Sequence, residues 1–148
     1  MTINLENIQE KSLLNTEYQA EDIILYDYPR RDPEDIREYL GRTAEIIELG
    51  AWETAIASAI FILEAIMPLM AQKHKIDFET KTPTELLRVF YQNSLISLEN
   101  RDLLRQAIAL RDSFMLQQET TISDRDFAQQ VLAIVTHLFQ IIEKPGNG

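Results

Sequence analysis

Residues 55–71 read AIASAIFILEAIMPLMA, an apolar run broken only by Ser58, Glu64 and Pro68. A helix that is apolar nearly all round must be covered on most sides, so this stretch reads as the centre of a helical fold. It is shorter than a bilayer span and carries both an acid and a proline, which favours a buried core helix over a membrane helix. Its flanks set a helix over 51–73, in which Pro68 is expected to produce a kink or a change of direction.

The segments on either side carry their own punctuation. Upstream, Asp32-Pro33-Glu34-Asp35 supplies an N-cap, a proline with pre-set φ and acids facing the positive end of the dipole. Ile36, Leu40, Thr43 and Ile47 recur at helical spacing and Gly50 offers a stop, giving a helix over 33–49. Downstream, Thr82-Pro83-Thr84-Glu85 is a capping box that opens a short helix to about residue 92. Ser97 caps a fourth helix over 98–117. A fifth is expected from Ser123, with Asp126 in the capping-box place and Ile122 and Phe127 as a staple, to about residue 144. Five helices, short connections and no strand pattern imply an all-α antiparallel bundle over 32–144. Residues 1–31 read as an acidic N-terminal arm, extended or poorly ordered, and 145–148 as a tail. Within the arm, Ile23, Ile24, Leu25, Tyr26 and Tyr28 form an apolar patch that either frays or docks, on the bundle or on another chain.

Composition narrows the function classes. The chain has 148 residues, 24 acids and 14 bases, for a net charge of -10, which disfavours nucleic acid and anionic lipid as partners. Zero Cys removes disulfides, thiolate metal sites and thiol nucleophiles. Four glycines, at 41, 50, 146 and 148, cannot build a phosphate loop, a dinucleotide fingerprint or a nucleophile elbow. No basic segment precedes an apolar run at the N-terminus, so no signal peptide is expected and a cytoplasmic location is.

No Glu-x-x-His or paired-His spacing is present, so neither a metal nor a cofactor is expected. His74 stands among lysines at a helix end, and His137 has Ala133, Ile134 and Ile141 one turn away, the pattern of a packed core histidine. Trp52 and the phenylalanines read as core. Two charges fit the pattern poorly. Glu64 has Ile60, Phe61, Met67 and Pro68 around it, and Arg111 has Ala107, Ile108 and Phe114. Either the side chains snorkel to solvent or they need partners, because an unpaired buried charge is costly. The expectation is a buried or interfacial pair between Glu64 and Arg111, direct or through Glu53 on the same stripe.

The run Glu45-Ile-Ile-Glu-Leu-Gly-Ala-Trp-Glu-Thr-Ala, the mid-helix acid in FILEAI, the TPTELL turn and ISLENRDLLRQAIALRD, taken in order, resemble the HEPN superfamily over about 36–142. The likeness is nearest to bacterial HEPN-like domains found beside restriction-endonuclease-like modules. It implies a bundle of four or five helices that forms a homodimer, and in active members a metal-independent RNase with an Arg, a polar residue often Asn, three residues, then His. Here the matching stretch begins at Arg111, with Asp112 in the Asn place and Leu116 in the His place. A leucine performs no proton transfer, so the motif is degenerate. The resemblance therefore implies a non-catalytic HEPN-like module acting in homodimerisation and protein–protein interaction, with a nuclease or toxin as the kind of partner. By the same resemblance, Arg111, Phe114, Met115 and Leu116 would lie at the dimer seam. Two alternatives stay open: a divergent RNase or nucleic-acid-processing accessory using His137 or His74, and a bundle that holds a small apolar ligand.

Overall fold

A computed structural model describes residues 25–116 and 124–144 of the chain. Five helices follow one another: α1 (Pro33–Glu48), α2 (Trp52–Lys73), α3 (Pro83–Gln92), α4 (Leu98–Met115) and α5 (Arg125–Glu143). Among the described residues there is no strand. The fold is an all-α helical bundle.

Helix α2 is its axis, packing against each of the other four helices. Thirteen of its 22 residues are buried, from Ala55 and Ile56 to Met70 and Ala71. By length and hydropathy it could cross a membrane, yet 72% of its most apolar window is buried by the rest of the molecule. Pro68 neither ends the helix nor divides it. The helix runs unbroken to Lys73, although proline withdraws the N–H that would otherwise bond the carbonyl of Glu64. Proline at this point is itself buried, so the surrounding packing holds the helix where local propensity would break it.

The outer helices bury one face each. In α1, Ile36, Thr43 and Ile47 face the core, while Glu34, Asp35 and Glu38 are exposed. Thr43 is the polar exception. Its hydroxyl donates to the carbonyl of Tyr39 at 2.8 Å, so the 2.5 Å contact with Ser58 on α2 is a bond donated by Ser58. Helix starts lie where side chains cap them. Asp32 accepts from the N–H of Asp35, Ser97 from Asn100, and Thr82 and Glu85 form a reciprocal capping box. The fifth start differs from expectation: the cap is Asp124, whose carboxylate accepts from Phe127 N–H at 2.8 Å, one residue beyond Ser123.

Three helices end alike. At Gly50, Lys75 and Ser94 the backbone turns to positive φ, and in each case the next residue's N–H bonds back across the turn, to Ile46, Ala71 and Phe90 respectively. These are Schellman closures, which satisfy carbonyls that a helix end would leave orphaned. Only Gly50 has the residue type that adopts this conformation without steric cost. Replacing Gly50 with Ala should lower stability by about 1 kcal/mol even though the added methyl would meet nothing within 4 Å, because the cost lies in φ of +86°. Chemical denaturation of the two proteins checks this.

Candidate functional site

Three chain segments converge on the carboxylate of Glu64, in the middle of α2. Arg111 of α4 donates from Nη2 to Glu64 Oε2 at 3.0 Å, and the Tyr26 hydroxyl donates to the same oxygen at 3.0 Å. A second donor of the guanidinium, Nε, holds Asp112 Oδ1 at 2.9 Å. The Glu64 side chain is 7% exposed and that of Arg111 15%, whereas Asp112 is 57% exposed. The arrangement is a buried salt bridge with a phenol as third member and a solvent-facing acid at its outer end.

Local sequence explains the placement. Glu64 sits on the axial helix, with no solvent-facing side available to it, and Arg111 follows Leu104, Ala107 and Ile108 on the buried side of α4. The pair therefore meets directly; Glu53 lies exposed in the first turn of α2 and takes no part among the described ion pairs.

Tyr26 arrives from the segment before α1. Its backbone N–H bonds Glu79 O at 3.1 Å, and the Tyr28 hydroxyl donates to Lys81 O at 2.7 Å. Tyr28 is 3% exposed, its ring 4.6 Å from that of Tyr26 and edge-on to Phe78 at 5.8 Å. Of the patch assigned to docking, Tyr26 and Tyr28 thus dock on this chain's own bundle. Leu25 remains exposed, and Ile23 and Ile24 lie outside the described residues, as do residues 1–22 of the arm and the 145–148 tail.

Electrostatics follow from this geometry. Burial, then the charge and hydrogen bond of Glu64, raise the Tyr26 phenol above its usual value, against the opposing pull of Arg111. Tyr28 is pushed up further, chiefly by burial. For Arg111, burial works to lower the value, but Glu64 and Asp112 outweigh it and hold the guanidinium above its ordinary range.

Beyond this cluster, α4 ends in apolar surface. Phe114 is half-buried, and Met115 and Leu116 are 74% and 68% exposed. His137 is exposed on α5, contrary to the packed position expected for it. Its neighbours one turn away, Ala133, Ile134 and Ile141, lie on the same incompletely covered side of the helix. His74 is exposed at the end of α2. Trp52 packs against the core but is only partly buried, and its indole N–H has no partner among the described residues. No group of three or more potential ligands that could hold a metal ion occurs among the described residues. A cleft of about 340 Å³ between α3 and α4 is lined by Thr84, Glu85, Arg88, Arg101 and Arg105. Sequence reading missed both this cleft and the role of Tyr26. The signal for the cleft was available, since Arg101 and Arg105 are spaced i, i+4 on one face of α4.

No family model matches the chain, and no curated protein matches it significantly.

Removing one member of a buried pair leaves the other uncompensated. Arg111→Met should therefore cost about 3 kcal/mol, while the Glu64→Leu/Arg111→Met double variant should recover most of that loss in equilibrium denaturation. The raised phenols predict a second effect. A group held protonated by the fold contributes fully below its unfolded value, near pH 10, and loses that contribution as pH rises through the folded value. The unfolding midpoint should fall above about pH 10, and the Tyr26→Phe variant should fall less steeply.

Proposed function

We propose that this protein is a non-catalytic, HEPN-like helical module that forms a homodimer and binds a protein partner, a nuclease or toxin being the kind of partner the resemblance implies. The observation that carries the reading is the contrast at the end of α4: Arg111 is engaged inwardly by Glu64 and on its outer side by Asp112, while Met115 and Leu116 stand open to solvent.

In an RNase of the resembled kind, the arginine would hold a phosphate and a histidine would move a proton. Here a phosphate at Arg111 would compete with two carboxylates already bonded to it, one of them buried, and would meet the negative charge of Asp112. Leu116 has no proton to exchange. Adjacent large apolar side chains at a helix end, with half-buried Phe114 beside them, have the composition of an interface core, and each Leu buried there contributes roughly 1.5–3 kcal/mol. The seam of the homodimer is accordingly read as Phe114, Met115 and Leu116, with Arg111 beneath it as a structural residue. On this reading the protein works in the cytoplasm, without nucleic acid or membrane.

Sedimentation equilibrium at tens of micromolar should give a dimer. The Met115→Glu/Leu116→Glu variant should sediment as a monomer with an unchanged helical circular-dichroism spectrum, since both side chains are exposed in the single chain. A wild-type monomer, or cleavage of mixed RNA that His137→Ala abolishes, would overturn the proposal.

A further inference from the structure

An acidic chain that pairs with its own copy is restricted in the surface it can use. A two-fold dimer uses the same patch on both subunits, so each charge on that patch is brought toward an identical one. The outer side of α1 exposes Glu34, Asp35, Glu45 and Glu48, and the α3–α4 side carries Arg88, Arg101 and Arg105. Helix α5 is different. From Phe127 to Ile142 it holds no Asp, Glu, Lys or Arg, although 26% of the chain is charged. The core accounts for one side of it, where Ala128, Val131, Val135, Leu138 and Phe139 are buried. It does not account for the other. Gln130, Ala133, Ile134, His137 and Ile141 follow at i, i+3, i+4, i+7 and i+11, a second stripe along the helix. Gln130, Ala133 and His137 are exposed and the two isoleucines half-buried, where a surface helix ordinarily presents charge to water.

The stripe borders α4. A groove of about 310 Å³ between the two helices is lined by Glu99, Asn100 and Leu103 from α4 and by Gln130, Ala133 and Ile134 from α5. Glu99 is the one formal charge among them. From Leu103 an apolar line runs on through Leu110 to Phe114, at i, i+7 and i+11, all three half-buried. Leu110 and Ile141 lie outside the core cluster, so the core does not explain why both are apolar. This line joins the groove to the seam read at Phe114, Met115 and Leu116, with about 18 Å of helix between Leu103 and Met115. Three side chains are too few for a stable interface, which takes about 800 Å² and roughly 20–30 residues from each partner. The seam has to continue across a neighbouring surface, and α5 offers the one that repeats no charge along its length.

We infer that the dimer contact extends from Phe114 along Leu110 and Leu103 onto the charge-free stripe of α5, where Ala133, Ile134 and His137 meet a second copy of this chain. The inference rests on the homodimer reading and names the surface that reading leaves short of area. Gln130 and His137 suit a self-complementary contact. An amide and a neutral imidazole each carry a donor and an acceptor, so identical groups can pair across a two-fold axis where identical charges repel.

Sedimentation equilibrium of full-chain variants tests this. Ala133→Glu/His137→Glu alters two positions that are exposed in the single chain, so the helical circular-dichroism spectrum should be unchanged while the dimer dissociation constant rises by about 100-fold or more. Ala44→Glu, at an exposed position of α1, should leave the constant nearly unchanged. Ala133→Lys/His137→Lys should also sediment as a monomer alone. Mixing the Lys and Glu variants should restore a one-to-one dimer, which a folding defect in either would not do. A wild-type monomer would overturn the inference together with the homodimer reading. A dimer lost in Met115→Glu/Leu116→Glu but unchanged in Ala133→Glu/His137→Glu would overturn the inference alone, as would Lys and Glu variants that stay monomeric when mixed.

Discussion

A carboxylate almost entirely withdrawn from water organises this bundle. Glu64 occupies the one helix that every other helix touches, so its charge is met by groups brought to it: Arg111 from α4 and the Tyr26 hydroxyl from the segment before α1. The desolvation of such a pair can exceed its Coulomb attraction, which makes it a poor source of net stability and a demanding condition on geometry. Leu104, Ala107 and Ile108 fix which face of α4 is buried, and the Arg111 guanidinium must in addition reach one oxygen of Glu64.

The same constraint extends the domain toward its N-terminus. Residues ahead of Pro33 contain no helix in the described region, yet Tyr28 is as buried as the core helices and Tyr26 completes the Glu64 cluster. Arg30 and Arg31 carry the strap onward over the rings of Phe78 and Phe61, each at 5.5 Å. The short segment is thereby fixed at several points, to the α2–α3 connection and to α2 itself, before α1 begins.

Legibility in the sequence follows the range of the interactions. The axial helix announces itself because apolar residues on every face have a single explanation, and helix starts at Asp32, Thr82 and Ser97 are readable because a cap and its target lie three residues apart. Adjacent cap formers blur the α5 start, since Ser123 and Asp124 have equal claims on local grounds. Apolar neighbours one turn away reveal that Glu64 and Arg111 need partners. They do not reveal Tyr26, which is 38 residues from Glu64 and has no spacing rule to betray it. The same local reasoning misleads at His137, where the neighbours are apolar but share an uncovered side of α5. At Pro68 the helix continues to Lys73 in spite of the lost backbone donor, in a buried surrounding.

The hydroxyl contact between α1 and α2 acts as a keyed joint. Because the Thr43 proton is directed to Tyr39, the Ser58 proton has only one orientation that satisfies both groups, and the joint is asymmetric as well as tight. Rotating α1 by a single residue position, about 100°, would carry Thr43 away and set Arg42 or Ala44 against Ser58. The key thus indexes the whole helix, and its opposite side, with Glu38 and Glu48 more than half exposed, keeps a permanent outward bearing. One half-buried hydroxyl pair, with Ile36 and Ile47 on the same face, sets which way the acidic flank of α1 points.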